Sequence, residues 1–99
     1  MAQSLTVIFT ESAIQDMEEI REYYQEQVVA DVGEQFLQEI IALAEDLATR
    51  PNRGRIVPEF NQPRLRELIH PPFRIVYQRT VQQIAIVRIW RSERLLKLP

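Results

Sequence analysis

Seven arginines, at positions 64, 66, 74, 79, 88, 91 and 94, are set into the stretch RLRELIHPPFRIVYQRTVQQIAIVRIWRSER. A guanidinium is planar, permanently charged and offers its N–H donors as a fork that matches two oxygens of a carboxylate or a phosphate. The chemistry these residues suggest is therefore the capture of an anion. Between the arginines lie three runs rich in β-branched and aromatic residues, broken by turn-like dipeptides, so the cations sit on or beside strands. No other part of the chain combines strand formers and positive charge in this way, and it is here that a partner is expected.

The elements that must position these arginines follow from periodicity. Leu5, Val7 and Phe9 alternate with Thr6 and Ile8, which predicts a short strand. Thr10 or Ser12 then starts a helix to about Gln27, and Ser12 with Gln15 has the spacing of a capping box. Ile14, Met17, Ile20, Tyr24 and Val28 form its apolar stripe, with Asp16, Glu18, Glu19, Glu22 and Glu26 on the other side. Asp31, with Glu34 three residues on, opens a second helix carrying Phe36, Leu37, Ile40, Ile41, Ala44, Leu47 and Ala48. The short link between the helices predicts an antiparallel hairpin, ended at Arg50-Pro51-Asn52 with Gly54 in the following turn.

Beyond Gly54 the period becomes two. Arg55–Val57 is a short extended piece, and Arg64–Ile69, Phe73–Arg79 and Ile84–Arg91 are strands joined by short connections, as antiparallel neighbours are. The fold class is α+β in the order β-α-α-β-β-β, with the helical hairpin on one face of an antiparallel sheet and the other face left to water or a partner. Alternation places Arg74 with Val76 and Gln78, Arg88 with Ile84, Ile86 and Trp90, and Arg91 with Ala85, Val87 and Ile89. Only one of Arg88 and Arg91 can then share a face with Arg74. Trp90 is either a core plug or an exposed anchor.

A chain of 99 residues with 45% hydrophobic and 26% charged residues fits one folded domain, residues 1–99. It has no cysteine, so disulfide and zinc-thiolate frameworks are excluded, and no metal or other cofactor is expected. The segment MAQSLTVIF lacks a basic region followed by a long apolar one, and no apolar run approaches the length of a membrane span. A cytoplasmic protein is expected. The net charge of −2 conceals a division: residues 1–49 hold eleven acidic groups against Arg21 alone, and residues 50–99 hold ten arginines and Lys97 against three glutamates. A basic face survives that division and favours an anionic partner.

Several short motifs taken in order, Pro51, Gly54-Arg55, Val57-Pro58-Glu59, Arg66-Glu67-Leu68, Phe73-Arg74-Ile75-Val76-Tyr77 and Arg94, resemble the RelE/ParE toxin superfamily, also called plasmid stabilisation proteins. The likeness runs from the Leu5 strand to Arg94. It implies the growth-inhibiting toxin of a bacterial type II toxin-antitoxin pair, held in check by a cognate antitoxin protein.

Members of that superfamily differ in target: RelE-like ones cut messenger RNA on the ribosome, and ParE-like ones are associated with DNA gyrase. RNA cleavage needs a proton acceptor, a donor and cations for the phosphorane-like charge. The resemblance makes Arg74, Arg91 and Arg94 the phosphate-holding cations, with His70 or Glu59 moving the proton. Ribonuclease members place a tyrosine or histidine near the C-terminus. This chain has none after Tyr77, and Arg91 stands where many relatives carry histidine. The ParE-like reading, action by binding, is therefore preferred over the RelE-like one and over a non-toxic member. Arg64, Arg66, Arg74, Arg88, Trp90, Leu95 and Leu96 are the residues expected to meet an antitoxin or target. Arginines on strands also keep a wet sheet face soluble, whatever else they do.

Overall fold

The computed structural model, which describes residues 4–92, places seven elements along the chain. They are strand β1 (Thr6–Phe9), helices α1 (Glu11–Glu26) and α2 (Ala30–Asp46), and strands β2 (Arg55–Ile56), β3 (Leu65–His70), β4 (Phe73–Arg79) and β5 (Gln83–Arg91). The order is the expected one. Thr10 is the residue that ends β1 and caps α1: its backbone is extended and its Oγ1 accepts the Ala13 N–H at 3.2 Å. Ser12 falls inside the first turn, so the Ser12–Gln15 box does not form.

Helix α2 begins at Ala30 without a side-chain cap, which corrects the expectation that Asp31 opens it. Asp31 lies in the first turn, where its charge complements the positive end of the helix dipole. Glu34 reaches instead to Arg21 on α1, at 2.7 Å. The link between helices turns at Val28, whose φ of 61° is left-handed, a conformation unfavourable for a β-branched residue. Gly33 permits the close crossing that follows, because a Cβ there would stand 2.8 Å from the Cβ of Tyr24.

The sheet order is β1-β5-β4-β3-β2. The pairs β2–β3, β3–β4 and β4–β5 are antiparallel, as their short connections require, and β1 lies parallel to β5. No tight turn joins β1 to its neighbour, so nothing in the connection fixes its direction. Helices pack on the face carrying Leu68, Phe73, Ile75, Tyr77, Ile84, Ile86 and Ile89, and with Ala13, Ile20, Leu37, Ile40, Ala44 and Leu47 these form the main core. The expected stripe of α1 is therefore trimmed, since Ile14 is 47% and Val28 89% exposed. Among the described residues no helix is long and apolar enough to cross a membrane.

The outer face is less bare than the sequence implied. The chain after β2 folds over it, so that Val57 and Phe60 pack with Leu65, Val76, Val87 and Trp90 in a second cluster. A bulge also changes the phase of β5: Val76 pairs with Arg88 but Tyr77 with Ile86, leaving Val87 as the extra residue. Directly opposed residues point to the same face. Arg88, opposite Val76, and Trp90, opposite Arg74, thus lie on the outer face, while Arg91, opposite Phe73, lies on the helix face. Uninterrupted alternation had grouped Arg88 with Ile84 and Ile86; the bulge separates them.

Candidate functional site

Arg74, on the middle strand of the sheet and near its β3–β4 turn, points to the outer face and is almost completely enclosed, at 7% exposure. Strand pairing sets Glu67 of β3 opposite Val76 of β4, one step along the same face, and Arg74 Nε donates to Glu67 Oε1 at 2.6 Å. The turn after Val57 brings Glu59 over the guanidinium, whose Nη1 and Nη2 donate to its two oxygens, each at 2.8 Å. Arg55 of β2 closes the row by donating to the other oxygen of Glu67 at 2.7 Å. Each nitrogen of the Arg74 guanidinium thus already faces a carboxylate. Glu67, with a fully buried side chain, is satisfied by two cations.

The electrostatics follow from this geometry. The Arg74 guanidinium holds the Glu59 carboxyl down to about 2, which makes it a weak base. Glu59 in turn helps push the ionisation of Arg74 above its ordinary value. His70 lies on the opposite face, where its Nε2 is 2.8 Å from Oε1 of Glu39 on α2. Arg91 is on that face as well, with its guanidinium 6.0 Å from the ring centre of Tyr23. Of the residues the sequence assembled around a phosphate, Arg74 and Glu59 come together and His70 and Arg91 do not. Arg94, Leu95 and Leu96 lie outside the described residues.

Arg88 has a different occupation. Beyond Phe9, β1 no longer covers β5, and Asp16 of α1 fills the gap: it accepts the Ile89 N–H at 2.8 Å and both Nε and Nη2 of Arg88, at 2.8 and 2.9 Å. Asp16 is buried, although its helical position reads as part of the acidic solvent face. Sequence carried no signal for this, since its partner is 72 residues away. The Arg88 guanidinium also lies 4.4 Å above the Trp90 ring. Beside Trp90 a groove of about 410 Å³ opens between α1 and the strands, lined by Tyr23, Tyr24, Phe73 and Arg91 among others.

Arg64 and Arg66 sit at the other end of the sheet. Arg66 donates to the carbonyls of Pro63 and Gly54, at 3.1 and 2.9 Å. Nearby, the Tyr77 hydroxyl accepts the Gly54 N–H at 2.9 Å and donates to the Pro51 carbonyl at 2.8 Å, pinning the loop after α2. Burial raises the ionisation of that phenol, in keeping with a core tyrosine. Among the described residues no group of three or more His, Cys, Asp or Glu side chains could hold a metal.

Solved structures share this fold. A chain of the chromosomal ParDE toxin-antitoxin system from P. aeruginosa superposes with a TM-score of 0.76 at 24% identity, over 91% of this chain and 98% of that one. A chain of the toxin-antitoxin complex RelBE2 from Mycobacterium tuberculosis does so with a TM-score of 0.61 at 18% identity, over 95% and 98%. These likenesses define the fold as that of the ParE/RelE toxins. A comparison with curated protein sequences gives no significant match. The family model for the ParE toxin of type II toxin-antitoxin systems, parDE, matches residues 7–96, and the chain belongs to that family.

Proposed function

We propose that this chain, a single domain over residues 1–99, is a cytoplasmic toxin that a cognate antitoxin neutralises, and that it acts on DNA gyrase by binding rather than by cutting RNA. The observation that carries this reading is the enclosure of Arg74. A cation meant for a scissile phosphate must present free donors, and this one is saturated by Glu59 and Glu67. The proton carriers a ribonuclease would need are divided between two faces, and the nearer one, Glu59, is a weak base. An antitoxin partner is supported by the ParDE and RelBE2 complexes in which the similar chains occur. The groove beside Trp90, lined by Tyr23, Tyr24 and Phe73 with Glu19 and Arg91 among its charged groups, suits an amphipathic helix.

Induction of the chain alone in bacteria tests this, with growth, messenger RNA integrity and DNA-damage signalling scored in one culture. Arrest with a DNA-damage response and intact message is expected, and His70→Ala should arrest growth as well as the parent does. Fragmented message would overturn the binding mechanism. Harmless expression would overturn the toxin reading itself.

A further inference from the structure

Most arginines on the described residues are spoken for. Arg21 pairs with Glu34, Arg50 and Arg53 with Asp46, Arg55 with Glu67, Arg74 with Glu59 and Glu67, and Arg88 with Asp16. Arg64, Arg66 and Arg79 form no ion pair with a carboxylate among the described residues, and all three line one hollow of about 420 Å³ at the end of β3 and β4. Strand pairing puts them there: Arg66 stands opposite Tyr77, and the Arg79 N–H donates to the Arg64 carbonyl at 2.8 Å. The hollow has no acidic residue in its wall, and Asn52 and Thr80 add polar groups. Arg79 Nη1 is held by Asn52 at 3.0 Å, whereas its Nε is buried without any partner. Leaving a donor of a cation buried without an acceptor is unfavourable.

We propose that this hollow binds the phosphodiester backbone of duplex DNA. Three uncompensated guanidinium forks suit phosphate oxygens, and two of them are aimed by bonds to Gly54, Pro63 and Asn52. A second hollow of about 400 Å³ shares Pro63 and Arg64 and adds Gln62 and Gln78 on the other face of the sheet, so Arg64 borders both. Neither hollow has an aromatic wall residue. Unpaired bases need such platforms, whereas a duplex presents its phosphates outward and its bases stacked within. The proposal does not rest on gyrase inhibition, since DNA binding by the purified protein is read separately from growth arrest.

The test is fluorescence anisotropy of the full chain with a short labelled DNA duplex across a salt series. Three phosphate contacts predict a slope of about −2.7 in log K against log salt, or about 40-fold weaker binding at 200 than at 50 mM salt. Arg64→Gln, Arg66→Gln and Arg79→Gln should each flatten the slope by about 1, and Arg21→Gln on the helix layer should leave it unchanged. Arg64 is exposed, so its variant keeps the fold and decides the matter if the others do not. No binding at low salt, an unchanged slope in Arg64→Gln, or tighter binding of single-stranded RNA would overturn the proposal. So would an oligo-glutamate peptide that binds as tightly as the duplex and loses the same affinity in Arg64→Gln, because the hollow would then be an acidic-peptide site.

Discussion

Replacing Arg74 by alanine removes the cation that faces both Glu67 and Glu59. Glu67 keeps only Arg55, whose side chain is 59% exposed, while its own side chain stays fully buried. Breaking a buried ion pair from one side costs about 3–5 kcal/mol, and the surviving Arg55 contact places the expectation near the lower end, at about 3 kcal/mol. Against a total stability of about 5–15 kcal/mol that is a large fraction. For a chain of this size it lowers the melting temperature by at least about 12 °C. Urea unfolding followed by circular dichroism at neutral pH, with a thermal scan, measures both. The paired substitution of Arg74→Met with Glu67→Leu removes cation and anion together and should return stability to within about 1 kcal/mol of the parent. An Arg74→Ala protein within about 1 kcal/mol of the parent would refute the account. A double variant as unstable as the single one would refute the role given to the stranded carboxylate.

Glu59 makes stability depend on acid. Its folded-state value, about 2, lies below the ordinary 4.5, so its stabilising contribution is complete above about 4.5 and lost as pH falls toward about 2. Glu59→Gln should therefore lose stability less steeply than the parent across that window in pH-dependent urea titrations. Val28→Gly relieves a left-handed valine that is 89% exposed and contributes little to the core. Relief of about 1–2 kcal/mol less the added freedom of the unfolded glycine leaves about 0.5–1 kcal/mol of stabilisation, or about 2–8 °C in a thermal scan.

The architecture was legible because each element carries its own period. Phe73, Ile75 and Tyr77 face the helices while Arg74 and Val76 face outward, as alternation in β4 required. What could not be read depends on contacts between distant segments. The sequence marks Arg74 as a cation, but its pairing with Glu59 depends on how the chain after β2 folds over the outer face. Asp16 reads as a solvated helix residue, and only the point where β1 stops covering β5 explains its burial. The arginine-rich stretch suggested one basic face. Strand pairing instead divides it, with Arg74 and Arg88 neutralised at one end and Arg64, Arg66 and Arg79 uncompensated at the other.

The bulge at Val87 has a bearing on descent. With Ile84 and Ile86 facing the helices, then Val87 and Arg88 both facing out, then Ile89 facing in, β5 holds one residue more than a regular ladder needs. Loss of a single codon at Val87 or Arg88 would leave every other side chain of β5 on its present face. Loss of one anywhere else in the strand would turn part of it inside out. Length variation inside β5 is therefore tolerable at one place only. A gapless alignment of this strand with a bulge-free homologue would compare Trp90 with a residue that points the other way.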